Sequence, residues 1–397
     1  MKEVVITSAV RTPIGKIGGY FKDISAENLM SLVLNEVVNR AELKKDMVDE
    51  IIIGQTKQSS DAPNIARVSG LKAGFPEKIP AYTVHRQCAS GMQAVVNSFF
   101  EIYCGYADIV LAGGVESMST APYYLRNARF GYIAGNGELV DPNTESQPKS
   151  QPEEIYGSFN MGITAENLSE IYGISRSEQD EFALNSHIKA VKALETGTFS
   201  KEIIPVMINL KGEQRFVYID EGPRKDTSIE KLSKLKPVFK ENGTVTAGNS
   251  SMRSDGAAAL VLMSMEKAKE LKIKPLAKII SFSAAGVDPR IMGIGPVPAT
   301  LEALKKAGLT LKDIELIELN EAFAAQSIAV IKELNLNAEI VNVNGGAIAL
   351  GHPLGCSGAR IIITLLYEMK RRKVRYGLAT ICVAGGMGMS IILENIE

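Results

Sequence analysis

A layered α/β protein built from two similar halves is the fold class this sequence predicts, and three observations predict it. Strand-like and helical periodicities alternate up to about residue 120 and again after Gly256. Short motifs recur in order at a nearly constant offset: Gly54 and Asn320 stand 266 residues apart, and Ser90-Gly91 and Ser357-Gly358 stand 267 apart. A third pair, Leu111-Ala112-Gly113-Gly114 and Val383-Ala384-Gly385-Gly386, follows in the same order. The middle third, residues 121–247, interrupts the alternation with loop-like stretches and reads as an insertion near the end of the first half.

Residues 4–10 (Val-Val-Ile-Thr-Ser-Ala-Val) read as a strand, broken by Thr12-Pro13-Ile14-Gly15. Residues 26–41 have helical spacing, 50–53 form a strand and 63–71 a helix. The run 81–84 (Ala-Tyr-Thr-Val) is a strand leading into Cys88. After it Met92, Val95, Val96, Phe99 and Tyr103 recur at spacings of three and four, the mark of one apolar helix face. Residues 109–112 read as a buried strand ending in Gly113-Gly114. Polar, proline-rich residues 141–154 read as a loop. Ser175-Arg176-Ser177-Glu178 is a capping-box start for a helix to about Glu195, and residues 211–240 are rich in Lys and Arg. Residues 314–320 repeat the pattern of 48–54.

Composition excludes several function classes. The 397 residues are 45% hydrophobic and 22% charged, an ordinary globular balance that leaves room for two or three domains. With 44 basic and 45 acidic residues the net charge is −1, so no bulk field favours nucleic acid or an anionic membrane. No apolar run approaches the ~20 residues of a membrane span. Neither end resembles a targeting signal, so a cytoplasmic location is expected. The four cysteines (88, 104, 356, 382) lie far apart without a C-x-x-C pair, which disfavours a zinc site or a disulfide framework. The histidines are three: 85, 187 and 352.

Four side chains stand out chemically. Cys88 lies at a strand-to-helix turn among small residues. There free backbone N–H groups and the helix dipole would lower a thiol's pKa, as in a nucleophile elbow with sulfur for oxygen. The plainer alternative is a small buried apolar residue, and Cys104 and Cys356 are read that way. His352 sits in the loop Gly351-His352-Pro353, kept out of helix by the proline, and its chemistry suits a general base. His187, in a polar helical stretch, is more easily read as structural. Asn320, ending a buried strand, suits orienting a water or a carbonyl, or simply forming a turn. Cys382 runs into Ala384-Gly385-Gly386, a turn whose N–H groups can bind an oxyanion. A cysteine-protease site would leave the second thiol idle. Two thiols near one base fit a reaction needing a nucleophile and a separate proton carrier, such as acyl transfer coupled to carbon–carbon bond chemistry.

The ordered motifs resemble the thiolase family, in particular its short-chain biosynthetic type. They are Arg11-Thr12-Pro13-Ile14-Gly15, Arg86-Gln87-Cys88-Ala89-Ser90-Gly91, Gly113-Gly114-Val115-Glu116-Ser117, Met161-Gly162-Ile163-Thr164-Ala165-Glu166-Asn167, Thr246-Ala247-Gly248-Asn249, Asn320-Glu321-Ala322-Phe323, Gly351-His352-Pro353-Leu354-Gly355 and Cys382 with its glycines. The resemblance spans the chain. It implies a five-layer fold of two duplicated βαβαβαββ halves, residues 1–120 with 248–270 and residues 271–397, with 121–247 as an inserted loop domain.

The resemblance also implies roles. Cys88 would take the acyl group as a thioester while His352 accepts its proton. Cys382 would move the proton of a second acetyl-CoA, and Asn320 would hold a water beside His352 in one oxyanion hole. The backbone N–H groups of Cys88 and Ala384 would form the other. Arg224, Phe239, Ala247 and Ser251 match positions that face CoA; Asn160, Met161, Met292 and Phe323 match positions around the acyl pocket. The implied reaction is reversible Claisen condensation of two acetyl-CoA to acetoacetyl-CoA and CoA. No metal or other cofactor is implied, and the expected state is a homodimer or homotetramer. The alternatives are a thiolase for longer 3-oxoacyl-CoA, a ketoacyl synthase and an inactive lipid-binding relative. Departures from the family pattern are His85 for Asn, Asn160 for His, Ala384 for Gly, Ser254 for Asn, and the polar stretch 141–154.

Overall fold

β1 (Val4–Arg11) is buried along its whole length, as its apolar sequence requires of a strand covered on both faces. A computed structural model describes residues 2–210 and 212–396. Met1, Lys211 and Glu397, on which the readings of the two ends and of the basic stretch partly fall, lie outside the described residues.

The first half continues with α1 (Ala26–Arg40), β2 (Glu50–Gly54), α2 (Ile65–Lys72), β3 (Ala81–Val84), α3 (Ser90–Tyr103) and β4 (Ile109–Ser117). After the middle third, which carries α4 (Met161–Ile171) and α5 (Arg176–Glu195), β5 (Ser254–Ser264) returns to the same sheet. The second half comprises β6 (Ala277–Gly286), α6 (Pro296–Ala307), β7 (Leu316–Leu319), α7 (Ala324–Leu334), α8 (Leu354–Arg372), β8 (Tyr376–Val383) and β9 (Met387–Asn395).

Sheet order exposes the duplication. One half reads β1-β5-β4-β2-β3 and the other β6-β9-β8-β7, followed by a parallel bridge from Ile317 to Val341 where β3 has its counterpart. In each half the first two pairings are antiparallel and the next parallel. The halves join at a short antiparallel seam, Val5 opposite Lys278 and Ile6 opposite Ala277. α3 and α8 fill the space between the halves; α1 and α2 cover one outer face, α6 and α7 the other. Five layers result.

The central helices cross where the repeated Ser-Gly pairs lie. A Cβ on Gly91 would sit 2.8 Å from the Gly355 carbonyl oxygen, and one on Gly358 would sit 2.5 Å from the Met92 nitrogen. Glycine at both positions lets the two backbones touch. This crossing sets the start of α3, with Cys88, against the start of α8, with His352.

Three expectations need correction. Gly113-Gly114 do not end a strand: β4 runs on to Ser117, paired with β5. The third repeat pair is therefore out of register. Gly54 lies opposite Gly114 and Leu319 opposite Thr380, so the counterpart of Gly113-Gly114 is Thr380-Ile381, not Gly385-Gly386. Residues 141–154 are not a plain loop. Asp141 accepts from the Asn143 N–H to start the helix Pro142–Glu145, and a 3₁₀ turn (Pro148–Ser150) and the helix Glu153–Tyr156 follow. Prolines there occupy helix starts, where their missing N–H costs nothing. Cys104, read as core, is exposed at the end of α3. The capping box at Ser175 forms as the sequence predicts.

A buried ion cluster joins the parts. Arg11 of β1 donates to Glu202 (2.7 Å) and to both oxygens of Asp220 (2.7 and 3.0 Å), and Thr364 of α8 also donates to Glu202 (3.2 Å). Among the described residues no helix is long and apolar enough to cross a membrane.

Candidate active site

Cys88 occupies a turn that the local sequence builds tightly. Gln87 adopts a positive φ of 44°, Ala89 N–H donates to the Arg86 carbonyl (3.0 Å), and the Ser90 hydroxyl donates to the Gln87 carbonyl (2.6 Å) while accepting from Arg86 N–H (2.9 Å). A side chain at positive φ is strained, and such strain gathers where a group must be presented in one orientation. Here it turns the chain from β3 into α3 with the sulfur partly accessible.

That sulfur faces a cavity of about 180 Å³. Cys88, His352, Cys382 and Ala384 all line it. Met161, Met292, Phe239 and Phe323 form its apolar part, the two phenylalanine rings meeting edge to face at 6.1 Å. Burial pushes the Cys88 thiol up to about 11, against the pull of the Ala384 and Cys88 backbone N–H groups and the Lys57 ammonium. Cys382 is buried and raised too, first by burial and then by the neighbouring Cys88. Ala384 keeps the N–H that the turn presents, and positive φ falls on Gly385 and Gly386 instead, so its methyl is tolerated.

His352 is held from both ring nitrogens. Its Nδ1 lies 2.6 Å from Ser357 Oγ, and the Ser357 hydroxyl donates to the Pro353 carbonyl (2.9 Å). Ser357 therefore accepts, which puts the ring proton on Nδ1 and leaves Nε2 bare. Asn320 Nδ2 stands 3.5 Å from Nε2. Burial pulls the imidazole down to about 3, with the Arg360 cation adding to the effect, so it stays neutral. Asn320 is fully buried, and its Oδ1 has no partner among the described residues.

Most of the residues named from the sequence meet here, in two adjoining cavities. Ser251 and Phe239, matched to CoA-facing positions, line the Cys88 cavity. Arg224 and Ala247 line a second, of about 210 Å³, which shares Met252 with the first. His187, read as structural, lines that second cavity and accepts from Arg224 N–H (3.2 Å); burial takes it down to about 4. Asn320 lies behind the wall against His352, in the lining of neither cavity, and Asn160 is also outside both. The Asn160 side chain accepts from Ile163 N–H to cap α4, the helix that begins with the cavity residue Met161. His85 is exposed and borders a separate surface hollow.

Other contributors were missed. Gln87, Asn143, Ser146, Gln147 and Ser150 give the cavity a polar wall. Glu116 accepts from Thr56 and Lys57 N–H on one side and from Gly355 N–H (2.8 Å) on the other, tying β4 to the His352 loop. Glu321 fixes the approach to that loop through Ser186, Asn342 and Ile348. Glu116 and Glu321 stand inside the quoted motifs, which was the available signal. Among the described residues no cluster of three or more His, Cys, Asp or Glu is disposed to hold a metal ion.

Comparison with known proteins shows the family and the fold. The thiolase N-terminal domain model matches residues 4–266, and the thiolase C-terminal domain model residues 273–395. The acetyl-CoA acetyltransferase of Syntrophomonas wolfei is 48% identical over 399 residues, covering 100% of both chains. A probable acetyl-CoA acyltransferase of Staphylococcus aureus is 48% identical over 398 residues, again covering 100% of both. The crystal structure of the Bacillus anthracis acetyl-CoA acetyltransferase superposes with a TM-score of 0.97 at 48% identity, over 100% of this chain and 99% of that one. That of human mitochondrial 3-ketoacyl-CoA thiolase in complex with CoA gives 0.95 at 42%, over 100% and 98%. From its repeated halves to its paired cysteines, the chain belongs to the thiolase family.

Proposed function

We infer that the chain is an acyltransferase that interconverts two acetyl-CoA with acetoacetyl-CoA and CoA through an acetyl-thioester on Cys88. The observation that carries this reading is the convergence of Cys88, Cys382 and neutral His352 on one cavity, with two backbone N–H groups directed at the Cys88 sulfur. Relatives named acetyl-CoA acetyltransferase support it.

In acylation, Cys88 passes its proton to His352 Nε2 and the sulfur attacks the thioester carbonyl. The N–H groups of Cys88 and Ala384 receive the oxyanion, and the departing CoA thiolate takes the proton back. For condensation, Cys382 first gives its thiol proton to His352 and then, as a thiolate, removes a methyl proton from a second acetyl-CoA. Its enolate oxygen is held by His352 and a water on Asn320, whose unpartnered Oδ1 suits that task. The carbanion then attacks the Cys88 thioester and releases the Cys88 thiolate, which takes the proton from His352 while Cys382 keeps the one it removed.

Arg224, Ala247 and His187 would meet the nucleotide end of CoA in the second cavity, with Ser251 along the arm and Phe239 and Phe323 closing the acyl end. Residues 121–247 would then act as the CoA- and acyl-binding insertion between halves 1–120 with 248–270 and 271–397. A cytoplasmic homo-oligomer using no metal or organic cofactor completes the proposal, since CoA itself activates the acyl group.

A longer-chain 3-oxoacyl-CoA thiolase is the second reading, favoured by 42% identity to the human 3-ketoacyl-CoA enzyme. Thiolysis rates on four-carbon and on eight- to sixteen-carbon substrates separate the two: a long-chain preference overturns the acetyl reading. Incubation with acetyl-CoA should add one acetyl group to Cys88 by mass spectrometry. Cys382→Ser should retain that adduct and lose condensation by about 100-fold or more. A variant condensing at the wild-type rate removes Cys382 from the mechanism.

A further inference from the structure

Lys57 stands one residue behind the cavity wall and is 8% exposed. Its backbone N–H donates to Glu116 (2.9 Å), and its Nζ donates to the Pro142 carbonyl (3.0 Å) and to the hydroxyl of Ser146, which lines the cavity with Cys88. Among the described residues it has no carboxylate in ion-pair contact. Glu116 is occupied by four N–H and O–H donors from Thr56, Lys57 and Gly355, and Asp141 pairs with Arg253. Lys57 also borders two surface hollows, and its nearest carboxylates are already engaged, so its ammonium is placed to gain from a negative charge that appears on the cavity side during turnover.

We propose that Lys57 is a positioning residue whose ammonium is the counter-charge for the Cys88 thiolate. The inference rests on the acyl-transfer reading, in which that thiolate forms before acylation and again when the acyl group departs. Lys57 stays protonated and makes no bond to substrate; in acylation the proton moves between Cys88, His352 and the leaving thiolate. The charges facing Lys57 are Glu116 on β4, Asp141 at the start of the helix Pro142–Glu145, Cys88 in its turn, and Arg253 just before β5. Burial lowers the Lys57 pKa; the two carboxylates and Cys88 hold it up, and Arg253 opposes them. The benefit to the thiolate is therefore greatest while Lys57 is charged and fades as rising pH removes its proton.

The test follows the rate of iodoacetamide alkylation at Cys88 against pH, read on the Cys88 peptide by mass spectrometry. Lys57→Gln retains a donor for Ser146 and removes the charge. Its midpoint should move up by about one pH unit, which is about tenfold slower alkylation at a fixed pH below the midpoint. Lys57→Arg should stay near wild type. A Gln midpoint that coincides with wild type overturns the proposal, because a purely structural clamp would survive that change. If Lys57→Gln does not fold, the wild-type enzyme decides. Iodoacetate should be favoured over iodoacetamide at Cys88 relative to exposed Cys104, and an equal ratio at both sites overturns the proposal. Acetylation of wild-type Cys88 by acetyl-CoA, measured alongside, tests the acyl-transfer reading separately, since alkylation needs no substrate.

Discussion

At the scale of single residues, Ser357 settles the tautomer of the His352 imidazole. Ser357 gives its hydroxyl proton to Pro353 and can only accept from Nδ1–H, so the unprotonated nitrogen is Nε2, the one the proposed mechanism uses. Ser357→Ala removes that acceptor and lets the ring choose either tautomer. Single-turnover acetylation of Cys88 should fall about ten- to 100-fold, with acetyl-CoA binding little changed. An unchanged rate would mean that the ring is oriented by packing alone. The residues to which the proposal gives bond chemistry stand out in the sequence, since a cysteine at an elbow and a histidine between glycine and proline are odd choices for a core. Lys57 and Glu116 were not legible in the same way. Their partners lie 85 residues away at Pro142 and 239 away at Gly355, and no local pattern announces a contact of that span.

At the scale of elements, what matters is that two helix starts are forced together. Gly91 and Gly358 permit the contact of α3 with α8, and the two helices begin two residues after Cys88 and His352 respectively. Gly91→Ala inserts a methyl against the Gly355 carbonyl and the Ala359 nitrogen (2.9 Å), both backbone atoms that cannot swing aside. Overpacking of this kind should cost about 1–3 kcal/mol, seen as a lower Tm, and should slow Cys88 acetylation as His352 shifts away. A variant with normal Tm and rate would show the crossing to be slack. The same elements explain why the repeat was only partly legible. Ser-Gly pairs recur because the crossing needs a glycine on each of its two helices. The glycine-rich ends of the third pair look alike in composition but differ in backbone: Gly113 and Gly114 are extended and paired with Ala259 and Ala258, whereas Gly385 and Gly386 have φ of 87° and 80°. Composition does not encode that difference. The stretch 141–154 misled for a related reason, because prolines that break a helix interior are at home at its first turn.

At the scale of the whole molecule, Arg11 holds three parts of the chain in one cooperative unit. It is fully buried, as are Glu202 and Asp220 from the inserted third, and Thr364 brings the second half to the same carboxylate. Arg11→Met would leave two buried carboxylates facing each other without their cation, a loss of about 3–5 kcal/mol. The sign of its pH dependence follows from Glu202. Burial raises the pKa of that carboxyl, and Arg11 draws it back down. Without Arg11 the folded-state pKa rises further above the unfolded value of about 4.3. The variant's folded form then binds more protons than its unfolded form. Its stability is fullest below that unfolded value and is lost as pH rises through the raised folded one. Arg11→Met should accordingly lie closer to wild type at pH 5 than at pH 8. The chain has no tryptophan, so urea unfolding is best followed by circular dichroism at both pH values. A deficit that is the same at both would mean that the carboxylates find other donors when Arg11 is gone. A deficit that grows with pH would identify the cluster as the joint through which the insertion and the two halves unfold together.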